Sequence, residues 1–66
     1  MIEFNGEEYL DTNEAAKFLL ITPRALARLR TKGTGPPYTR YIGRIYYRSE
    51  DLFSWMDAEL ERNRVS

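Results

Sequence analysis

The sequence predicts a mainly α domain with a small β-hairpin, in the order helix, tight turn, helix, two-stranded wing, helix. Two observations predict it: two helix-start signals separated by a connection of only three residues, and a single Gly-centred run of β-branched, aromatic and basic residues between two helical stretches. A 66-residue chain is one domain, residues 1–66, and a domain of this size buries only about 60% of the surface its unfolded chain exposes. It has no Cys, so disulfides and thiolate metal sites cannot supplement the core. Nine aromatic side chains, five Tyr, three Phe and Trp55, must carry much of the burial instead.

The first helix is signalled at Leu10-Asp11-Thr12-Asn13-Glu14. Thr12 is read as the cap of the first turn and Glu14 suits the positive end of the helix dipole. Ala15, Ala16, Phe18 and Leu19 supply its apolar face, and it runs to about Leu20. The second start signal is Thr22 as N-cap with Pro23 at the first helical position, where a missing N–H costs nothing. Leu26 and Leu29 face inward, while Arg24, Arg28 and Thr31 follow the i, i+4, i+7 spacing of the opposite face. Lys32 and Gly33 close that helix. Leu20, Ile21 and Thr22 between the two helices make a turn so tight that they must cross, which is helix-turn-helix geometry.

Thr34-Gly35-Pro36-Pro37 excludes helix through its prolines. Residues 38–48 then read as a hairpin with Gly43-Arg44 at its tip; on the return strand Ile45 and Tyr47 face the core and Arg44, Tyr46 and Arg48 face out. Ser49 is read as the cap of a third helix, with Glu50 and Asp51 in its first turn and Leu52, Phe53, Trp55, Met56 and Leu60 as its apolar positions. The whole is a winged helix-turn-helix, flanked by an acidic N-terminal segment (1–8) and a polar, frayed tail (62–66).

The net charge is zero, yet the charges are segregated. Residues 1–14 carry five acids and no base; residues 15–49 carry eight bases and no acid; the remainder carries five acids and two bases. Ordinary solvated surfaces intersperse the signs, so a window this one-sided points to a polyanion-binding face. Catalysis is disfavoured: no His and no Cys removes the usual bases, thiol nucleophiles and metal ligands, and no Gly-rich phosphate cradle is present. Glu50 and Asp51 fit capping better than a carboxylate pair. No enzyme activity, metal or cofactor is expected. The longest apolar run, Phe18-Leu19-Leu20-Ile21, falls far short of the roughly 20 residues that span a bilayer. With no secretory-signal pattern at the start, a cytoplasmic location is expected.

The candidate partner is double-stranded DNA. Arg28, at the middle of the outward face of the second helix, suits a bidentate pair with guanine, and Arg24 lies one turn earlier. Ala25 is small enough for close approach and a thymine methyl contact. Thr22 and Lys32 at the helix ends suit phosphates, with Thr31 on the same outward face. Arg44 at the hairpin tip suits an adjacent minor groove, and Arg40 a phosphate. Arg30 points sideways, and Trp55 reads as core. Tyr41 and Tyr46 are open between packing and base stacking.

Four ordered blocks carry a resemblance: Tyr9 to Leu19, Ile21-Thr22-Pro23-Arg24-Ala25-Leu26, Gly33-Thr34-Gly35-Pro36-Pro37-Tyr38, and Ile42 to Leu52 followed by Trp55. Over residues 9–58 the chain resembles the small excisionase and AlpA-type winged helix-turn-helix proteins, relatives of the MerR DNA-binding domain. The resemblance implies a phage or mobile-element protein that binds DNA, as an excisionase-like recombination directionality factor or an AlpA-like transcriptional regulator. An integrase or recombinase, and self-association or cooperative binding on DNA, are the partners it implies. It also implies that Thr22 to Arg28 are the recognition helix and Gly43-Arg44 the wing tip. The chain departs from the family at Leu20, where glycine is usual, and in its acidic N-terminal segment. The alternative is a protein-interaction module that grips a recombinase without DNA specificity of its own.

Overall fold

The computed structural model describes residues 1–65, and Ser66, the end of the expected frayed tail, lies outside the described residues. The chain runs β1 (Ile2–Phe4), β2 (Glu7–Asp11), α1 (Thr12–Leu19), α2 (Pro23–Lys32), β3 (Thr39–Tyr41), β4 (Arg44–Arg48) and α3 (Ser49–Arg62). Helix, turn, helix, wing, helix stand in the expected order, and the fold is a winged helix-turn-helix. The acidic N-terminal segment, to which the sequence reading gave no structure, is a strand pair. Asn5 (φ 54°) and Gly6 (φ 77°) form a two-residue turn with both residues left-handed, the geometry that suits the twist of a hairpin. The wing is therefore half of a four-stranded antiparallel sheet in the order β1-β2-β4-β3, with Leu10 opposite Tyr47 and Arg40 opposite Ile45.

One face of that sheet meets the helices. Leu10, Ala15, Ala16, Leu19, Leu26, Tyr47 and Leu52 form the buried core, and Ile21, Ile45, Trp55 and Met56 pack against it. Leu26, Tyr47 and Leu52 are fully buried, each worth about 1.5–3 kcal/mol relative to exposure for the aliphatic pair. The expected inward residues Ile45 and Tyr47 are thus confirmed. Three expected apolar positions are not core: Phe18, Phe53 (66% exposed) and Leu60 (67%) face solvent.

Both helix starts flanking the sheet differ from expectation. Thr12 is the first helical residue, and Asp11, the last residue of β2, is the cap. The Glu14 amide donates to Asp11 Oδ1 (2.8 Å) and the Asp11 amide donates to Glu14 Oε1 (3.0 Å), so the two ends satisfy each other. The N-terminal ammonium of Met1 also donates to Glu14. Likewise Ser49 is the first residue of α3, and Arg48 holds the cap position without a side-chain cap bond. β4 stays paired to Arg48, opposite Tyr9, so the chain turns directly from strand into helix.

Candidate nucleic-acid interface

The turn between α1 and α2 positions the interface. Leu20, where a glycine would be unstrained, is left-handed (φ 63°, ψ 36°) and 88% exposed. Its amide donates to the Lys17 carbonyl (3.1 Å) and the Ile21 amide to the Ala16 carbonyl (2.9 Å), which satisfies the end of α1 and reverses the chain within three residues. Ile21 then drops toward the core, and Thr22 caps α2 by accepting from the Ala25 amide (3.1 Å).

Leu26 anchors α2 inward, so helical geometry fixes what points away. Arg24, Arg28 and Thr31 are exposed and lie nearly opposite Leu26. Half-buried Ala25 and exposed Lys32 fall on the flank next to Arg28. Thr31 is partly engaged already, donating its hydroxyl to the Ala27 carbonyl (3.0 Å). Arg24, Arg28 and Lys32 thus form one exposed cationic stripe along α2.

The wing supplies a second group. Its tip is Ile42-Gly43, one residue earlier than expected, with both residues left-handed (φ 47° and 73°). Arg44 is instead the first residue of β4, paired with Tyr41, while Arg40 pairs with Ile45. Directly opposed residues share a face, so Arg44 projects from the outer face of the ribbon and Arg40 from the helix side. Both are exposed, and the two arginines straddle the ribbon rather than reaching for one point.

Of the remaining bases of the window, Lys17 lies on α1, and Arg48 and Arg30 are occupied. Arg48 bridges strand and helix, 3.1 Å from Glu7, 3.3 Å from Asp51 and 3.8 Å from Glu50. The guanidinium of Arg30 lies 6.0 Å from the centroid of the Tyr38 ring, which in turn leans on buried Tyr47 with centroids 6.2 Å apart. Among the described residues, no ion pair reaches Arg24, Arg28, Lys32, Arg40 or Arg44. Five unpaired cations therefore mark α2 and the wing.

The connection between these groups is pinned. Trp55 Nε1 donates to the Thr34 carbonyl (3.3 Å), Pro36 is buried, and a Cβ at Gly35 would stand 2.9 Å from Leu29 Cβ. Only glycine lets the loop lie against α2 so closely. Trp55 is half-buried against the core, as expected, and also holds this loop. Sequence reasoning missed Ile42 as the tip residue and Gly35 as a contact, although Ile42-Gly43 carries the two-residue hairpin spacing.

Among the described residues, no group of three or more His, Cys, Asp or Glu is arranged to hold a metal ion, and no helix is long and apolar enough to cross a membrane. A family model described as helix-turn-helix domain matches residues 9–59, which spans the C-terminal part of β2 through most of α3. No curated protein matches the chain. The match covers most of the sequence, and the chain belongs to the helix-turn-helix domain family.

Proposed function

We propose that this helix-turn-helix domain binds double-stranded DNA sequence-specifically, with α2 in a major groove and the wing in the flanking minor groove. The observation that carries this reading is the set of five unpaired cations on α2 and the wing; of the other bases in the same window, Arg48 is held by carboxylates, Arg30 lies against an aromatic ring and Lys17 sits apart on α1. Arg28 reads a guanine edge, with Arg24 a turn earlier and Ala25 beside it; Thr22, Thr31 and Lys32 meet the backbone. Arg44 enters the minor groove and Arg40, on the other side of the ribbon, takes a phosphate. The role is binding rather than catalysis, in the cytoplasm, as an excisionase-like directionality factor or an AlpA-like phage regulator. A single module of this size offers roughly 600–1,000 Å² to DNA, so action at one site requires cooperative copies or a recombinase alongside.

The test is fluorescence anisotropy of a labelled duplex across a salt series. Four to six phosphate contacts imply a log–log slope of roughly −4 to −5. Arg28→Ala should cost about 1–3 kcal/mol and relax preference at one base pair, whereas Lys32→Ala should weaken all duplexes alike and lower the slope by about 1. A wild type with no salt-dependent duplex binding at low ionic strength would refute the reading.

A further inference from the structure

Among the described residues, Asn5, Leu20 and Ile42 are those other than glycine that hold a left-handed backbone. At Leu20 the conformation ends α1, with the Leu20 amide on the Lys17 carbonyl and the Ile21 amide on the Ala16 carbonyl. Asn5 and Ile42 each open a two-residue hairpin turn, which requires positive φ at both of its positions. Asn tolerates that region, so Asn5-Gly6 meets the requirement with residues suited to it. Ile42-Gly43 meets it with a β-branched residue, for which the left-handed region is an outlier. The side chain is exposed, so burial does not repay the strain. Strain held at an exposed position without a structural return points to function.

The surroundings of Ile42 say what it meets. The turn stands clear of the rest of the chain: a Cβ at Gly43 would find no atom within 4 Å beyond its chain neighbours. Arg44 lies just behind it on the outer face of the ribbon and Arg40 on the helix side, and among the described residues no ion pair reaches either. A ribbon of two strands about 4.8 Å apart, with side chains on both faces, is wider than the roughly 6 Å of a minor groove. It can enter only tip first, with Arg44 following into the groove and Arg40 left at a phosphate. Gly43 has no side chain, so the side chain that reaches the bases is that of Ile42. It has no donor or acceptor with which to read a base edge, and what it gains there is burial. On the floor of a minor groove an apolar side chain is buried by entering between two base pairs.

We propose that Ile42 is an apolar wedge that partly unstacks one base step in the minor groove beside the site read by α2, and so selects a step that parts easily. The wedge presupposes the DNA-binding reading above and adds to it a specificity determinant that makes no hydrogen bond. Pyrimidine–purine steps such as TA and CA unstack most readily and are the ones it favours. The loop between α2 and the wing is held by Trp55 and by the close approach of Gly35 to Leu29, so the wedged step lies at a fixed spacing from the base pair that Arg28 reads.

The probe is the duplex that the wild-type chain enriches from a random-sequence pool, with 2-aminopurine, which brightens when unstacked, placed in turn at each step of the minor groove flanking the α2 site. At saturating protein one step should brighten at least about twofold. Ile42→Asn, which keeps the kind of turn that Asn5-Gly6 makes, should return that step to the level of the free duplex, and Ile42→Leu should restore the signal. A mismatch at the same step removes part of the cost of unstacking; it should tighten wild-type binding about tenfold and Ile42→Asn binding less than about twofold. Anisotropy of the same samples reads binding by itself, and circular dichroism confirms that each variant is folded. A wild type that binds no duplex takes down the DNA-binding reading and the wedge with it. A wild type that binds but brightens no step, or an Ile42→Asn variant that brightens the step and gains from the mismatch as the wild type does, overturns the wedge and leaves the DNA-binding reading standing.

Discussion

The two hairpins of this sheet turn in the same way with different residues, which makes one substitution unusually informative. Asn5-Gly6 has φ 54° and 77°, and Ile42-Gly43 has φ 47° and 73°. Asn tolerates the left-handed region, whereas a β-branched side chain there is strained by crowding of Cβ against the backbone, at roughly 1–2 kcal/mol. Ile42 is 81% exposed and recovers little through burial. Ile42→Asn should therefore stabilise the domain by about 1 kcal/mol, and for a domain of this length the melting temperature should rise by about 4–8 °C. The reciprocal change, Asn5→Ile, should lower it by a similar amount. Thermal unfolding followed by circular dichroism, with both variants beside the parent, measures the two effects. If Ile42→Asn leaves the melting temperature unchanged or lowers it, the strain argument is wrong and Ile42 makes a contact that its exposure conceals.

The same reasoning predicts that Leu20→Gly, at the left-handed end of α1, raises stability by roughly 0.5–1 kcal/mol in a denaturant titration, the relief of strain exceeding the added freedom of the unfolded chain. Gly35→Ala should cost about 1–3 kcal/mol in the same assay, because its Cβ meets Leu29 Cβ at 2.9 Å and either the loop or α2 must move. The bond from the N-terminal ammonium, and then that from the Asp11 amide, hold the Glu14 carboxyl below its ordinary value. A depressed carboxyl stabilises the fold above its unfolded pKa and loses that contribution as pH falls through its folded one. Thermal scans from pH 6 down to 2 should therefore show a steeper loss of melting temperature for the parent than for Glu14→Gln.

The helices and the wing were legible because their signals are local. Thr22-Pro23 states where α2 begins, and Leu26 with the spacing of Arg24 and Arg28 states which way it faces. What escaped was set by pairing across distance. Asn5-Gly6 is a strong hairpin signal, but the strands it joins are three and five residues long and carry Glu3, Glu7, Glu8 and Asp11, residue types that strands ordinarily lack. Once β2 exists its last residue must enter α1 directly, which moves the cap from Thr12 to Asp11; in the same way β4 carries Arg48 into the cap of α3 in place of Ser49. Phe18, Phe53 and Leu60 have helical spacing, yet spacing does not reveal how far the opposing surface extends. The cationic window overcounted for a related reason: Arg48 lies among bases in sequence but beside Glu7, Glu50 and Asp51 in space.

The loop that joins α2 to the wing has a mechanical consequence. Tied to α3 through Trp55 and Thr34, pressed onto α2 at Gly35 and sealed by Pro36, it leaves no hinge between the two cationic groups. In the DNA-binding reading proposed above, helix and wing would act as the two jaws of a calliper whose opening is set before any duplex arrives. With a compliant jaw, the protein would adjust to straight DNA. With a stiff one, the duplex is the softer body, and the deformation falls on its base steps. On that reading, the curvature of a bound duplex would then be set by residues 33–38 of the connecting loop.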